Sequence, residues 1–290
     1  MFVCGGCVNF MYSNVDLSEH TYSEDSHSCD YYNFIDMPRN WMERTILVFN
    51  RTPNSKGELM RFPTKQDYPA GLFENAFWVE GCGSAYFEGN PITKSLFRKR
   101  IMTVLSMIDS EIMYNLILDI GTGVGYLLPA LSKVGRSVVG TDVDSSLLNH
   151  VAIMLHNKGI YNVALLRDDI QKSKLDDRFD LILCLSNLEH VDPYVACKNI
   201  KKIASNRVIF GFPIETGFTK FIKDFEIRFI RPKAYKKLKE GIDNGLFKHH
   251  ISDYKKIEES IRKNFMVLNI IDIKFCGLRL YRIMDVGVYD

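Results

Sequence analysis

From about residue 92 of the 290-residue chain, apolar positions fall into two alternating rhythms. ITKSLFRKRIMTVLSMI (92–108) places apolar side chains at helical spacing and predicts an amphipathic helix. NLILDIG (115–121) is a short continuous apolar run closed by glycine, which predicts a buried strand. Residues 124–134 read as helix and SVVGTD (137–142) as a second strand. SSLLNHVAIMLHNKG (145–159) reads as a helix ended by Gly159. NVALLRDD (162–169) and FDLILCLS (179–186) follow as strands, PYVACKNIKKIAS (193–205) as helix and RVIFGF (207–212) as a fifth strand. Five βα units in succession predict a doubly wound α/β fold. FMVLNIIDIKF (265–275) and LRLYRIMDVGVY (278–289) are parted by Cys276-Gly277 alone, a link that permits a hairpin and forbids a parallel crossover. The expected architecture is a seven-stranded, mostly parallel sheet that ends in an antiparallel pair.

Upstream the texture differs. Residues 38–91 are irregular and carry several Pro and Gly, with a short strand expected at Thr45–Asn50. Residues 1–37 are polar and rich in Ser, Tyr and Asn, and read as a lightly ordered tail. The expected organisation is an N-terminal acidic tail and irregular segment (1–91), then the α/β domain (92–290) with a helical insert at 217–262.

Composition narrows the function classes. The chain is 46% hydrophobic and 25% charged, ordinary for a globular protein, which excludes wholesale disorder and a disulfide miniprotein. A net charge of +2 gives no global tether for nucleic acid. That sum hides an asymmetry: residues 1–37 contain six acids and no Lys or Arg, whereas 217–241 hold eight bases against three acids. Seven scattered cysteines, an odd number, suit a reducing cytosol better than a disulfide framework. No apolar run is long enough to cross a membrane, and no basic region precedes the short apolar start, so a secretory signal is not expected.

The chemistry concentrates after the first strand, at Asp119-Ile120-Gly121-Thr122-Gly123-Val124-Gly125. Glycines there allow a tight turn and close approach of backbone to a ligand. A dinucleotide fingerprint needs a third glycine where Tyr126 stands, and a P-loop needs a closing G-K-[ST] that is absent. The second strand ends in Asp142, placed to accept hydrogen bonds from both hydroxyls of a ribose. A nucleoside without a diphosphate fits this pattern.

LDIGTGVGYLLPALSK, VVGTDVDSSLL, LLRDDI and FDLILCLSNLEHV, in that order, resemble the class I S-adenosylmethionine-dependent methyltransferases. The similarity is greatest to the branch with a methyltransferase type 11-like domain, which acts on small molecules and glycans. It covers about residues 92–212 and the closing antiparallel pair. The resemblance implies a Rossmann-like methyltransferase fold and S-adenosyl-L-methionine as cofactor. It implies that Asp119, Gly121, Thr122, Gly123 and Gly125 contact the methionine part, and that Asp142 holds the ribose with Val143 packed on adenine. Asp169 would accept the adenine amino group, with Ile170 on the ring face; the adjacent Asp168 is the alternative. Leu185 and Ser186 would line the reactive end. Methyl transfer from a sulfonium needs alignment, and a general base when the acceptor is a protonated hydroxyl. His190 is the candidate base and Glu189 its neighbour, the alternative being that this pair shapes the loop.

Two constellations stand apart. Cys4 and Cys7, with His27 and Cys29, form a weak zinc-knuckle candidate; a tail with free thiols is the competing reading. In 217–241, Phe218, Phe221, Ile222, Phe225 and Phe229 alternate with bases, and Pro232 interrupts the stretch. This stretch reads as a helical insert packed on the sheet or as an interfacial element touching an anionic membrane or lipid-linked acceptor. Of Lys248-His249-His250 beyond it, one histidine could face an acceptor. The leading expectation is methyl transfer to a small molecule or glycan. RNA methylation and non-catalytic cofactor binding are the alternatives; no N/D-P-P-Y/F motif follows the fourth strand, which reads Ser186-Asn187-Leu188-Glu189.

Overall fold

A computed structural model describes residues 83–214 and 251–289, together with 3–4, 7–8, 62–69, 72–73, 78 and a few positions between 236 and 244. The chain divides into two compact units, Met1–Met37 and Pro38–Asp290. In the first, Val3–Cys4 pairs antiparallel with Cys7–Val8. The side chains of Cys4, Cys7, His27 and Cys29 lie outside the described residues, as does the expected strand at Thr45–Asn50.

The second unit holds a seven-stranded sheet. Its strands are β1 (Tyr114–Ile120), β2 (Gly135–Asp142), β3 (Val163–Arg167), β4 (Phe179–Leu185), β5 (Ala204–Pro213), β6 (Met266–Phe275) and β7 (Leu278–Gly287). They lie in the order β3-β2-β1-β4-β5-β7-β6. The first five are parallel, and β7 runs antiparallel to both β5 and β6. The chain grows outward from β1 on one side, then returns to place β4 on the other. The gap between β1 and β4 is therefore the switch point where open α/β sheets bind ligands.

Helices cover both faces, as strands buried on both sides require. On one face lie α1 (Pro91–Met107), α2 (Leu128–Val134) and α3 (Ser145–Asn157), with Val104, Leu131 and Val151 packed on Ile117 and Leu183. On the other lie α4 (Pro193–Ile203) and α5 (Tyr254–Asn264), with Ile200 and Ile261 against Ile182, Phe210 and Met284. Asn90, Asp144, Asp192 and Asp253 cap α1, α3, α4 and α5, each accepting a first-turn backbone N–H. At the end of α3, Gly159 takes φ 66° and lets Ile160 N donate to Leu155 O at 2.9 Å. Cys276 and Gly277 take φ 49° and 79°, as a two-residue hairpin turn requires.

The structure departs from the sequence reading in three places. The helix expected over 124–134 begins at Leu128; residues 124–127 are turn, and Pro129 marks the helix start. No helix bridges β3 and β4; residues 168–178, rich in Asp and Lys, cross as loop, so the five βα units are not uniform. The boundary expected at residue 91 cuts through one core, since Tyr68, Leu72 and Trp78 pack with Ile101, Ile117 and Leu131. Most of 217–241 lies outside the described residues, while Lys236, Lys239 and Glu240 are helical.

Phe210 is fully buried in β5, its ring 5.3 Å from Phe265 in an edge-on contact. Phe210→Ala should cost about 3–5 kcal/mol of stability by chemical denaturation, whereas truncating the exposed Leu268 of β6 should change it by about 0.5 kcal/mol or less.

Candidate functional site

The carboxyl end of β1 turns sharply because three alternate residues adopt left-handed backbone: Gly121, Gly123 and Gly125, at φ 66°, 56° and 69°. A Cβ at Gly121 would lie 2.3 Å from Asn187 Nδ2, and one at Gly125 would lie 2.6 Å from Val151 Cγ1, so neither side of the turn admits a side chain. Thr122 N donates to Thr141 O at 2.8 Å, which ties the turn to the end of β2. Gly123 N donates to Asp142 Oδ2 at 3.0 Å, and Asp144 N donates to Asp142 Oδ1 at 3.1 Å. Asp142 thus holds the glycine turn while its remaining lone pairs stay available. Burial raises its pKa, and these backbone N–H bonds oppose the rise.

Asp119 is buried behind the turn, and its Oδ2 accepts from Thr122 Oγ1 at 2.7 Å. Burial pushes its carboxyl from the usual 3.8 to about 7; the Asp142 charge adds to the rise and the Thr122 bond opposes it.

A small cleft opens in front of these residues. Gly121, Asp142, Val143, Asp168, Asp169, Ile170 and Asn187 line it, with Ile120 and Val191. Sequence-predicted residues from the ends of β1, β2 and β3 therefore meet in one place. Val143 is 60% exposed and Ile170 is buried, giving the cleft apolar surfaces on its rim and in its wall. Asp169 Oδ1 accepts from Gln171 N at 3.0 Å, and burial raises the pKa of Asp168.

The residues after β4 are arranged differently. Leu185 and Ser186 are not in the cleft lining. Ser186 has a left-handed backbone (φ 54°), and its Oγ lies 3.0 Å from both Arg100 Nη1 and Tyr281 OH. Glu189 is buried in a single 3-10 turn, Leu188–His190, and its carbonyl accepts from Ile251 N at 2.8 Å and Ser252 N at 3.2 Å. His190 is half-buried in the same turn.

Sequence reasoning missed Arg100, Tyr86, Tyr281 and Asn187. Arg100, on the buried face of α1, donates to Tyr86 OH at 2.9 Å and lies 4.3 Å from the Phe97 ring centroid and 4.6 Å from that of Tyr281. Tyr126, the residue that breaks the dinucleotide pattern, stacks on Phe62 and Tyr86 at 5.0 and 4.1 Å. Tyr68 OH donates to Val124 O at 2.7 Å, so the segment before α1 packs on the glycine turn. One signal was available: Arg100 falls within the apolar stripe Phe97, Ile101, Val104, where a charge is out of place.

A larger, shallower groove lies at the opposite edge of the sheet, beside Tyr114, Asp180 and Arg207. Its charges are used internally. Arg207 pairs with Asp285 at 2.6 Å, and Asp180 accepts from the Asn115 and Leu116 amides. The glycine turn is not part of it. Among the described residues no cluster of His, Cys, Asp and Glu could hold a metal ion, and no helix is long and apolar enough to cross a membrane.

Sheet order, closing hairpin and glycine turn together define the fold of the class I S-adenosylmethionine-dependent methyltransferases. Residues 117–206 match the family described as "Methyltransferase domain". An 85-residue stretch is 40% identical to the ubiquinone biosynthesis O-methyltransferase of Coxiella burnetii; it covers 29% of this chain and 36% of that protein. The chain thus spans about a third of the length of the curated relatives it matches. Magnesium protoporphyrin IX methyltransferase (ChlM) from Synechocystis, solved with bound SAH, superposes with a TM-score of 0.55 at 17% identity, over 75% of this chain and 97% of that one. The N-methyltransferase NodS from Bradyrhizobium japonicum, in complex with S-adenosyl-L-homocysteine, gives 0.51 at 13% identity, over 81% and 96%. At these identities the likeness is one of fold.

The raised pKa of Asp119 has a stability consequence. The folded protein binds a proton there up to about pH 7, whereas the unfolded chain releases it near 3.8. Stability should therefore fall as pH rises from about 4 to about 7. Asp119→Asn, which keeps an acceptor for Thr122, should flatten that decline. Urea denaturation of both proteins between pH 5 and 8 checks this, and superimposable profiles would refute it.

Proposed function

We propose that the protein transfers a methyl group from S-adenosyl-L-methionine to a small-molecule acceptor. The observation that carries this reading is the cleft at the switch point. There a turn of left-handed glycines is held by the Asp142 carboxylate, inside a methyltransferase domain. The residues present fit the cofactor by their chemistry. Asp142 and Asp169 or Asp168 offer carboxylate acceptors suited to ribose hydroxyls and an adenine amino group, with Val143 and Ile170 as apolar surfaces. Gly121, Thr122, Gly123 and Gly125, with Asp119 behind them, would face the amino-acid arm. Leu185 and Ser186 flank the cleft without lining it. When bound, the cofactor supplies an electrophilic methyl on sulfur.

What the chain contributes is binding, orientation and proton management. The related ubiquinone biosynthesis O-methyltransferase supports a hydroxyl oxygen as acceptor. A hydroxyl must shed its proton, and His190, half-buried beside the cleft wall residue Val191, is the group we assign to accept it. The buried Glu189, whose carbonyl anchors the segment before α5, supports a loop-shaping role for that residue. The basic, aromatic stretch 217–241 supports a finer reading, an anionic or lipid-linked acceptor, glycan included, met at a membrane surface. The thiols of Cys184, Cys197 and Cys276 are free, which supports a cytoplasmic location.

Calorimetry with S-adenosyl-L-methionine should show binding, and Asp142→Ala should weaken it about 100-fold through loss of hydrogen bonds to a charged acceptor. Unchanged affinity in that variant would remove the ribose assignment; a folded protein that binds no cofactor would remove the reading altogether. With labelled cofactor and a hydroxyl-bearing acceptor, His190→Ala should slow methyl transfer about 100-fold or more, and an unchanged rate would remove the assignment of His190 as base. Anionic vesicles should co-sediment the protein, and recovery only in the supernatant would count against the membrane reading.

A further inference from the structure

Asn187 stands where the acceptor-side cluster meets the cofactor cleft. Its side chain lines the cleft, and its amide nitrogen Nδ2 occupies the space above Gly121 that any Cβ there would fill. Its amide oxygen Oδ1 is buried and has no hydrogen-bond partner among the described residues. A buried, unsatisfied amide oxygen costs about 1–3 kcal/mol, so such an atom at a cleft wall marks a place where a ligand donor completes the site. Asn187 follows β4, on the opposite side of β1 from Asp142 and Asp169, so the donor belongs to the part of the ligand that extends past the glycine turn toward β4.

What holds Asn187 there is the preceding residue. Ser186 has φ 54°, a conformation costly for a residue with a Cβ. It persists because three bonds fix it: Ser186 N donates to Gly211 O at 2.7 Å, and Ser186 Oγ lies 3.0 Å from both Arg100 Nη1 and Tyr281 OH. Gly211 has no side chain at the point where the Tyr281 hydroxyl crosses β5; a Cβ would lie 2.6 Å from that oxygen. Arg100 is buried, with its guanidinium among the Phe97, Tyr86 and Tyr281 rings. The bond partners come from α1, β5 and β7, and the two side-chain partners lie 86 and 95 positions away in sequence.

We propose that Asn187 Oδ1 accepts a hydrogen bond from the ammonium of the cofactor's amino-acid arm, and that Arg100 is the positioning residue that presents Asn187 by holding the strained Ser186 turn. This rests on the cofactor reading above and assigns two residues to that site.

The test is calorimetric binding of two probes, S-adenosylhomocysteine and 5′-methylthioadenosine. They share the nucleoside, and the second lacks the ammonium. Asn187→Ala should weaken S-adenosylhomocysteine about tenfold or more and leave 5′-methylthioadenosine within about twofold. Arg100→Met should reproduce that selective loss. Adding Ser186→Gly to Arg100→Met should restore most of it, because glycine adopts φ 54° without support. Equal loss for both probes in Asn187→Ala would overturn the ammonium contact. Absence of rescue by Ser186→Gly would overturn the positioning role of Arg100. If the unsubstituted protein binds 5′-methylthioadenosine but not S-adenosylhomocysteine, the ammonium contact fails while a nucleoside site stands; if it binds neither, the cofactor reading fails first.

Discussion

The hydrogen bond from Gly123 N to Asp142 Oδ2 joins the ends of two neighbouring parallel strands, and the site is built around it. The turn has little stiffness of its own, since its three glycines have wide conformational freedom. Anchoring its middle amide to a carboxylate on the next strand fixes the turn to the sheet. The Thr122–Thr141 backbone bond and the Thr122–Asp119 side-chain bond add two more attachments within the same few residues. The same carboxylate thus does structural work from one side and faces the cleft from the other. Its burial, and that of Asp119, is what keeps both acids away from their ordinary ionisation.

A second layer closes over this turn from the N-terminal side. Phe62, Tyr86 and Tyr126 stack face to face, Tyr68 bonds the Val124 carbonyl, and Trp78 sits in the core beneath. The described residues before α1 therefore share one core with the elements that carry the cleft. They set apolar rings against a loop whose three glycines alternate with Thr122 and Val124. Arg100 carries this layer through to the end of β4, linking the helix α1 to the far wall of the cleft.

The parts legible in the sequence were those set by local pattern. Continuous apolar runs gave β1 and β4, glycine spacing gave the turn, and the two-residue link Cys276-Gly277 gave the antiparallel pair. Asp142 was legible because it ends the second strand, whereas Asp169, with Asp168 as its alternative, was named only through the family resemblance; all three line the cleft. Ser186 was named for where it falls in the chain, yet its side chain turns toward Arg100 and Tyr281 instead of the cleft. No periodicity announces such contacts, because they join residues from opposite ends of the domain. The boundary at residue 91 was misjudged for the same reason. Proline and glycine content signals irregular backbone, and irregular backbone can still bury Trp78 completely.

The position of β7 sets the order in which the domain can form. It is last of the sheet strands in the chain but second from the edge in space, wedged between β5 and β6. During synthesis β5 is therefore left with an open edge until more than sixty further residues have emerged, and β6 appears before the strand that is to join it to the sheet. Pairs such as Phe210 with Met284 close a long loop, which makes this the slow, nonlocal step of folding. Tyr281, which steadies Ser186 beside the cleft, arrives on that same last strand. The cleft therefore gains its final support only when the sheet itself is complete.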